Sequence, residues 1–219
     1  MIVIIIQARM GSTRFPGKIM APFLPLFKGG PRQPVLAHVL RRCALVPSVD
    51  RIVLATPESQ DHAPAWELAR DYGAFICRGS EHNVLSRFYK AAREHDLEPR
   101  DTVVRITADC PLIDPVVVVE ELIKLHRSKL ADYTCNIMPR TFPKGLDCEA
   151  MTFEALEAAW VSAKRLYDKE HVTPWLQRRD GVIRCNLRQK EDMSAINLCI
   201  DHPEDPARIE KLIEAGGGF

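Results

Sequence analysis

The chain has 219 residues, which suits one large α/β domain or a core domain with a small appendage, and 46% of them are apolar, enough for a sizeable core. Thirty lysines and arginines against 29 acidic residues leave a formal charge of +1, so nothing points to nucleic acid or an anionic membrane as the main partner. The seven cysteines (43, 77, 110, 135, 148, 185 and 199) are scattered and form no Cys-x-x-Cys pair, so they read as free thiols of a reducing compartment rather than a zinc site or a disulfide framework.

The first predicted strand is Ile2–Ile6, a β-branched apolar run of the kind buried in a parallel sheet. It is too short, and enters its loop too soon, to be a signal peptide. No stretch is long enough to span a bilayer, so the expectation is a cytoplasmic protein. The strand runs into Gln7-Ala8-Arg9-Met10-Gly11-Ser12-Thr13-Arg14-Phe15-Pro16-Gly17-Lys18. Glycine-freed backbone amides beside fixed cations form a cradle for a polyphosphate. The loop is not a Walker A motif, because five residues separate Gly11 from Gly17 and Ile19 follows Lys18. The dinucleotide fingerprint is absent as well. The plain alternative is a surface turn with solvated charges.

Lys28-Gly29-Gly30-Pro31 reads as a mobile loop. Val35–Cys43 has helical spacing, Arg51–Thr56 is a strand, Ala63–Tyr72 a helix capped by Gly73, and Ala74–Cys77 a short strand. Val84–Glu94 is a helix and Thr102–Thr107 a strand. Asp114 caps a helix that has Pro115 at its first position and runs to about His126. Tyr133–Ile137 is a candidate strand. The prolines that follow make residues 132–151 an excursion from the main sheet. Phe153–Lys164 and Glu170–Arg178 read as helices, Val182–Leu187 and Ala195–Ile200 as strands, and Pro203–Ala215 as a closing helix before a frayed Gly216-Gly217-Gly218 tail. Alternating strands and helices predict a three-layer α/β fold.

Two carboxylates stand at predicted strand ends, where open α/β sheets bind ligands. Asp109 follows Thr102–Thr107, and Asp201 follows Ala195–Ile200. A carboxylate at such a place can hold Mg2+ against phosphates bound by the first loop. The alternative for each is a cap or turn residue. Asp114, Glu204 and Asp205 fit helix capping and the helix dipole.

The segment Ile6-Gln-Ala-Arg-Met-Gly-Ser-Thr-Arg-Phe-Pro-Gly-Lys18 closely resembles the opening signature of sugar cytidylyltransferases, in the branch named after spore-coat polysaccharide synthesis. More distant relatives make CMP-activated sialic acid and CMP-activated 3-deoxy-manno-octulosonate. The resemblance runs along most of the chain. Arg105-Ile-Thr-Ala-Asp109-Cys-Pro-Leu-Ile-Asp-Pro115 is similar to a family motif whose Asp binds the metal, with Ala108 in place of Gly. Ile200-Asp201-His-Pro-Glu-Asp205 is similar to a second motif whose first Asp completes the metal site, with His202 in place of Thr. The resemblance implies nucleotide contacts at Ala8, Arg9, Gly11, Ser12, Arg14 and Lys18. It places Arg78, of Arg78-Gly79-Ser80, near the nucleotide or the sugar. Asn83 stands where the family has Asp.

The stretch from Asp132 to Glu149 resembles the family block over the acceptor-sugar pocket, which implies substrate contacts at Asn136, Asp147 and Glu149. Asp147 and Glu149 alternate along an extended segment and so share a side. A solvated edge strand is the alternative. Glu170 and His171, in Lys169-Glu-His-Val-Thr-Pro174, either contact the acceptor or buttress their helix. If the excursion stands alone, Tyr133, Ile137, Met138, Phe142 and Leu146 need a partner surface, which predicts a homodimer.

The expectation is therefore a single nucleotidyltransferase domain over residues 1–219, with a mixed, mostly parallel sheet of the nucleotide-diphospho-sugar transferase type. Its expected reaction is Mg2+-dependent transfer of CMP from CTP to an acidic or unusual sugar for surface polysaccharide synthesis, with Lys18, Asp109 and Asp201 carrying the chemistry. One rival is a glycosyltransferase, but those usually carry Asp-x-Asp, and here Asp109 is followed by Cys110-Pro111. The other is a non-catalytic nucleotide-binding protein of the same fold, against which Lys18, Asp109 and Asp201 argue.

Overall fold

The Ile/Val run at the start of the chain is apolar at every position because it is buried on both faces. Ile2, Ile4 and Ile6 pack into one core cluster, and Val3 and Ile5 into another. The computed structural model describes residues 1–216; residues 217 and 218 of the predicted frayed tail lie outside the described residues. In chain order the strands are β1 (Ile2–Gln7), β2 (Pro22–Pro25), β3 (Arg32–Pro34), β4 (Arg51–Pro57), β5 (Phe75–Gly79), β6 (Thr102–Thr107), β7 (Tyr133–Cys135), β8 (Glu149–Thr152) and β9 (Arg184–Asn186). The helices are α1 (Val35–Cys43), α2 (Ala63–Asp71), α3 (Val84–Glu94), α4 (Glu121–Ser128), α5 (Phe153–Ser162), α6 (Leu166–His171), α7 (Pro174–Arg178) and α8 (Asp205–Glu214).

Seven strands form one sheet in the order β5-β4-β1-β6-β8-β7-β9. β8 is antiparallel to both of its neighbours, while the other pairings are parallel. One face is covered by α1, α2, α4 and α8, the other by α3, α5 and α7. This is the expected mixed, mostly parallel three-layer α/β fold. From β1 the chain moves outward to β4 and β5, then returns to place β6 on the other side of β1. That reversal opens a crevice beyond the carboxyl ends of β1 and β6, the usual ligand position in such sheets. Gln7 and Thr107 are register partners there, so the two loops that follow them start side by side.

Several expectations need correction. Lys28–Pro31 forms the turn between β2 and β3, a two-stranded antiparallel hairpin whose prolines concealed it. The helix after Asp114 opens as a π-helix over Pro115–Glu120 before α4, with Asp114 accepting from the amides of Val116 and Val117. Glu170–Arg178 is not one helix: Val172 takes φ +71° and separates α6 from α7. Ala195–Ile200 is not a sheet strand. Its backbone pairs with a loop instead, through Lys144 N–H to Ile196 O (2.9 Å) and Leu198 N–H to Lys144 O (2.7 Å).

The excursion is also smaller than expected. Both of its ends, β7 and β8, belong to the main sheet. Tyr133, Phe142 and Leu146 are buried within this chain, Phe142 and Leu146 in the core on one face of the sheet and Tyr133 in the core on the other, against which Ile137 packs. Met138 is the exposed one of the five. The premise that these residues need a partner subunit therefore fails.

Candidate active site

The loop after β1 closes on itself at its base. Met10 O accepts from the amides of Ser12 (3.0 Å) and Gly17 (2.9 Å), and Gly17 takes φ +71°, where a side chain would be strained. A short 3-10 turn, Lys18–Met20, follows and sends the Lys18 side chain inward. His62 supports the loop from below: its Nδ1 faces Asp61 and Ser59 O, which leaves Nε2 to accept from Met10 N–H (3.0 Å). Ala8, Arg9, Ser12, Arg14 and Lys18 line a cleft together with Gln7, Asp109 and Asp201.

At the cleft floor Lys18 joins the two predicted carboxylates. Its Nζ lies 2.5 Å from Asp109 Oδ2 and 2.9 Å from Asp201 Oδ1. Asp109 arrives on the loop after β6. Asp201 arrives because Ile200 N–H donates to Asp109 O (3.0 Å), which ties the two segments together. Asp205 fixes the turn beyond, accepting from the amides of Asp201 and His202 (2.8 Å each). It does more than face the dipole of α8.

Asp201 meets two further cations, Lys144 Nζ at 3.1 Å and Arg14 Nη2 at 3.3 Å. Burial alone would raise its carboxyl, but Lys18 and then Lys144 outweigh burial and bring it down to about 2. Burial would likewise lower the Lys18 ammonium, and Asp109 and Asp201 outweigh that and raise it. Lys18 and Asp201 are thus both charged at neutral pH.

Three cationic residues escaped the sequence reading. Lys144 had one signal, its place between Pro143 and Gly145, which makes a rigid bracket. Arg105 bonds Glu149 and reaches Gln7 Oε1 at 3.1 Å from Nη2. Arg87 is 1% exposed and gives Nη1 to Ser80 O (2.8 Å), while its Nε and Nη2 have no partner. Burial, then Arg9, lower it to about 10.

The remaining predicted residues divide. Gly11 is exposed at the rim, and a Cβ there would meet only Glu81 Oε1, at 3.7 Å. Arg78 lies outside the cleft lining, with its guanidinium 4.6 Å from the Trp66 ring centre. Asn83 caps α3, accepting from Ser86 N–H at 3.0 Å. Asn136 is fully buried, bonding Leu146 O (2.7 Å) and accepting from Cys148 N–H (2.9 Å). It holds the loop shut instead of facing a substrate. Asp147 is gripped by Arg140, with Nη2 to Oδ2 at 2.8 Å, and stays half-buried. Glu149 is 2% exposed, bonded by Arg105 and Tyr133 and approached by Gln177, so the solvated-edge alternative does not hold for it. Glu170 and His171 are exposed on α6, outside the cleft lining, with His171 against the Tyr167 ring at 4.4 Å.

Residues 3–216 match the cytidylyltransferase family model. The chain is 32% identical over 224 residues to the spore coat polysaccharide biosynthesis protein SpsF of Bacillus subtilis, covering 99% of this chain and 88% of that protein. It is 31% identical over 138 residues to the 3-deoxy-manno-octulosonate cytidylyltransferase of Pasteurella multocida, covering 61% of this chain and 49% of that one. A solved cytidylyltransferase from Leptospira borgpetersenii superposes with a TM-score of 0.87 at 29% identity, covering 98% of this chain and 87% of that chain. The chain therefore belongs to the cytidylyltransferase family and is a nucleotidyltransferase.

Proposed function

We propose that the protein transfers CMP from CTP to an acidic sugar in surface polysaccharide synthesis, releasing pyrophosphate, with Mg2+ held by Asp109 and Asp201. The observation that carries this reading is the convergence of Lys18, Asp109 and Asp201 at the floor of the cleft. The donor set fits a hard divalent ion: two carboxylates meet at one point, and the Lys18 ammonium already bridges them. When bound, Mg2+ would supply charge neutralisation at the phosphate oxygens.

The chain's own residues do the rest. Arg9, Arg14 and Lys18 line the cleft as fixed positive charges and offset the charge that builds on the departing pyrophosphate. Gly17 and the closed loop base keep those side chains oriented before CTP arrives. The backbone around Ala8 faces the cleft and reads the pyrimidine edge. Lys144, paired with Asp201, and Arg140, paired with Asp147, are the cations on the side of the residue 136–148 loop that an acidic acceptor would meet. Asp147 is the acceptor contact of that loop, and Glu149 acts through Arg105 on Gln7.

The cytoplasmic placement rests on seven free thiols, six of them buried. No helix among the described residues is long and apolar enough to cross a membrane. The homodimer is kept on new ground, the exposed Val161 and Leu166 at the α5–α6 junction.

Pyrophosphate release across four nucleoside triphosphates and a panel of acidic sugars tests the reading. CTP with an acidic sugar should give turnover that Asp109→Asn abolishes. Preference for another nucleotide, or release independent of any acceptor, would overturn it.

A further inference from the structure

Asp109 has two neighbours that nucleotidyl transfer does not use. Cys110 follows it in sequence, and Cys199 is brought opposite by the Ile200-to-Asp109 backbone hydrogen bond. The two sulfurs lie 3.7 Å apart, and Cys110 Sγ lies 3.6 Å from Asp109 Oδ1. One ligand atom from each of the three residues falls within 4.8 Å of the others. The thiols are buried, at 2% and 7% exposure, while the Asp109 side chain opens to the cleft.

A tetrahedral thiophilic ion bonds sulfur at about 2.3 Å and carboxylate oxygen at about 2.0 Å. Those lengths set a sulfur–sulfur edge of about 3.8 Å and a sulfur–oxygen edge of about 3.5 Å. The Cys110–Cys199 and Cys110–Asp109 separations match these edges, and the third edge, from Cys199 to Asp109, lies within 4.8 Å. Two sulfurs and one oxygen also leave a fourth position for water.

We propose that Cys110, Cys199 and Asp109 form a site for one thiophilic divalent ion of the Zn2+ class. Sulfur ligands favour such an ion over Mg2+, so the site differs in chemistry from the hard-cation pair of Asp109 and Asp201. Binding forms two metal–sulfur bonds and one metal–oxygen bond, and releases the two thiol protons to solvent. The ion sits on the Oδ1 side of the carboxylate whose Oδ2 holds Lys18, draws negative charge away from the hard-cation pair and so inhibits CMP transfer. That inhibition rests on the proposed role of Asp109; the binding itself does not.

Cobalt is the probe. The full chain, reduced with a phosphine and stripped of metal, is titrated with Co2+. One equivalent should produce the ligand-field bands of tetrahedral cobalt and near-ultraviolet sulfur-to-cobalt charge transfer, and one equivalent of Zn2+ should bleach both. Cys110→Ser and Cys199→Ser should each weaken binding by more than about tenfold, since even outer-shell partners of a metal site cost that much. Cys185→Ser, a thiol outside the cluster, should change nothing. Absence of charge transfer in the wild type, or its persistence in either cluster variant, would overturn the site. If Cys110→Ser does not fold, Cys199→Ser decides. Cobalt binding with no CMP transfer by the cobalt-free enzyme supplied with Mg2+ would leave this site standing and remove the nucleotidyl-transfer reading instead.

Discussion

Lys18 sits where two carboxylates from distant parts of the chain meet, and it bonds both of them. Asp109→Asn and Asp201→Asn should each lower kcat by roughly a hundredfold or more, because positioned charge at the phosphates is worth several kcal/mol. Steady-state kinetics read this, with circular dichroism to show an intact fold; near-normal turnover at modest Mg2+ would count against the assignment. Asp147 and Glu149 looked alike in the sequence, two acids one residue apart on an extended segment. The structure separates them. Removing Glu149 strands Arg105 in the interior, so Glu149→Ala should cost about 3–5 kcal/mol in denaturant unfolding. Asp147→Ala, at a half-exposed pair, should cost under about 1 kcal/mol and act on acceptor KM instead. Equal stability losses would show that the two carboxylates share one environment. The sequence could not rank them, because burial of a side chain depends on a strand three-dimensionally adjacent and remote in the chain.

Elements were legible where their signals were local. α1, α3 and β6 have the predicted bounds, since Pro34, Asn83 and the β-branched run Thr102–Thr107 mark their limits within a few residues. Ala195–Ile200 has the same alternation as a strand, yet its partner is a loop. That choice is made at Gly145, which has φ +100° and lies so close to residues 198 and 199 that a Cβ would sit 2.6 Å from Leu198 C and 2.7 Å from Cys199 N. Backbone cannot yield as a side-chain tip can. Gly145→Ala should push away the segment carrying Asp201, with a large loss of kcat and at least about 1 kcal/mol of stability. Kinetics and urea unfolding of this one variant check both effects; wild-type behaviour would mean that the crossing does not position Asp201.

At the scale of the whole molecule, the alternation of strands and helices revealed the layers, but the sheet order was not readable. The antiparallel β8 and the return of β6 beside β1 depend on pairings between residues far apart in sequence. The buried core also sets a pH dependence. His126 lies 2% exposed with Nδ1 at 3.1 Å from Thr134 Oγ1, and burial lowers it to about 4. Its folded pKa lies below the unfolded value of about 6.5, so the stability it contributes is present above pH 6.5 and is lost as pH falls through 4. The stability difference between wild type and His126→Gln should therefore shrink by up to about 3 kcal/mol from pH 7 to pH 4. Denaturant melts of both proteins across that range measure it, and a constant difference would contradict a neutral, buried imidazole.

The central claim is that Lys18, Asp109 and Asp201 form a CTP site, and calorimetric titration addresses it without knowledge of the acceptor. CTP with Mg2+ should bind the wild type with one site per chain and more tightly than ATP, GTP or UTP. Lys18→Met should weaken that binding by roughly tenfold or more, as expected when a cation facing the phosphates is lost. Equal affinity for all four nucleotides, or an unchanged CTP affinity in Lys18→Met, would contradict the account.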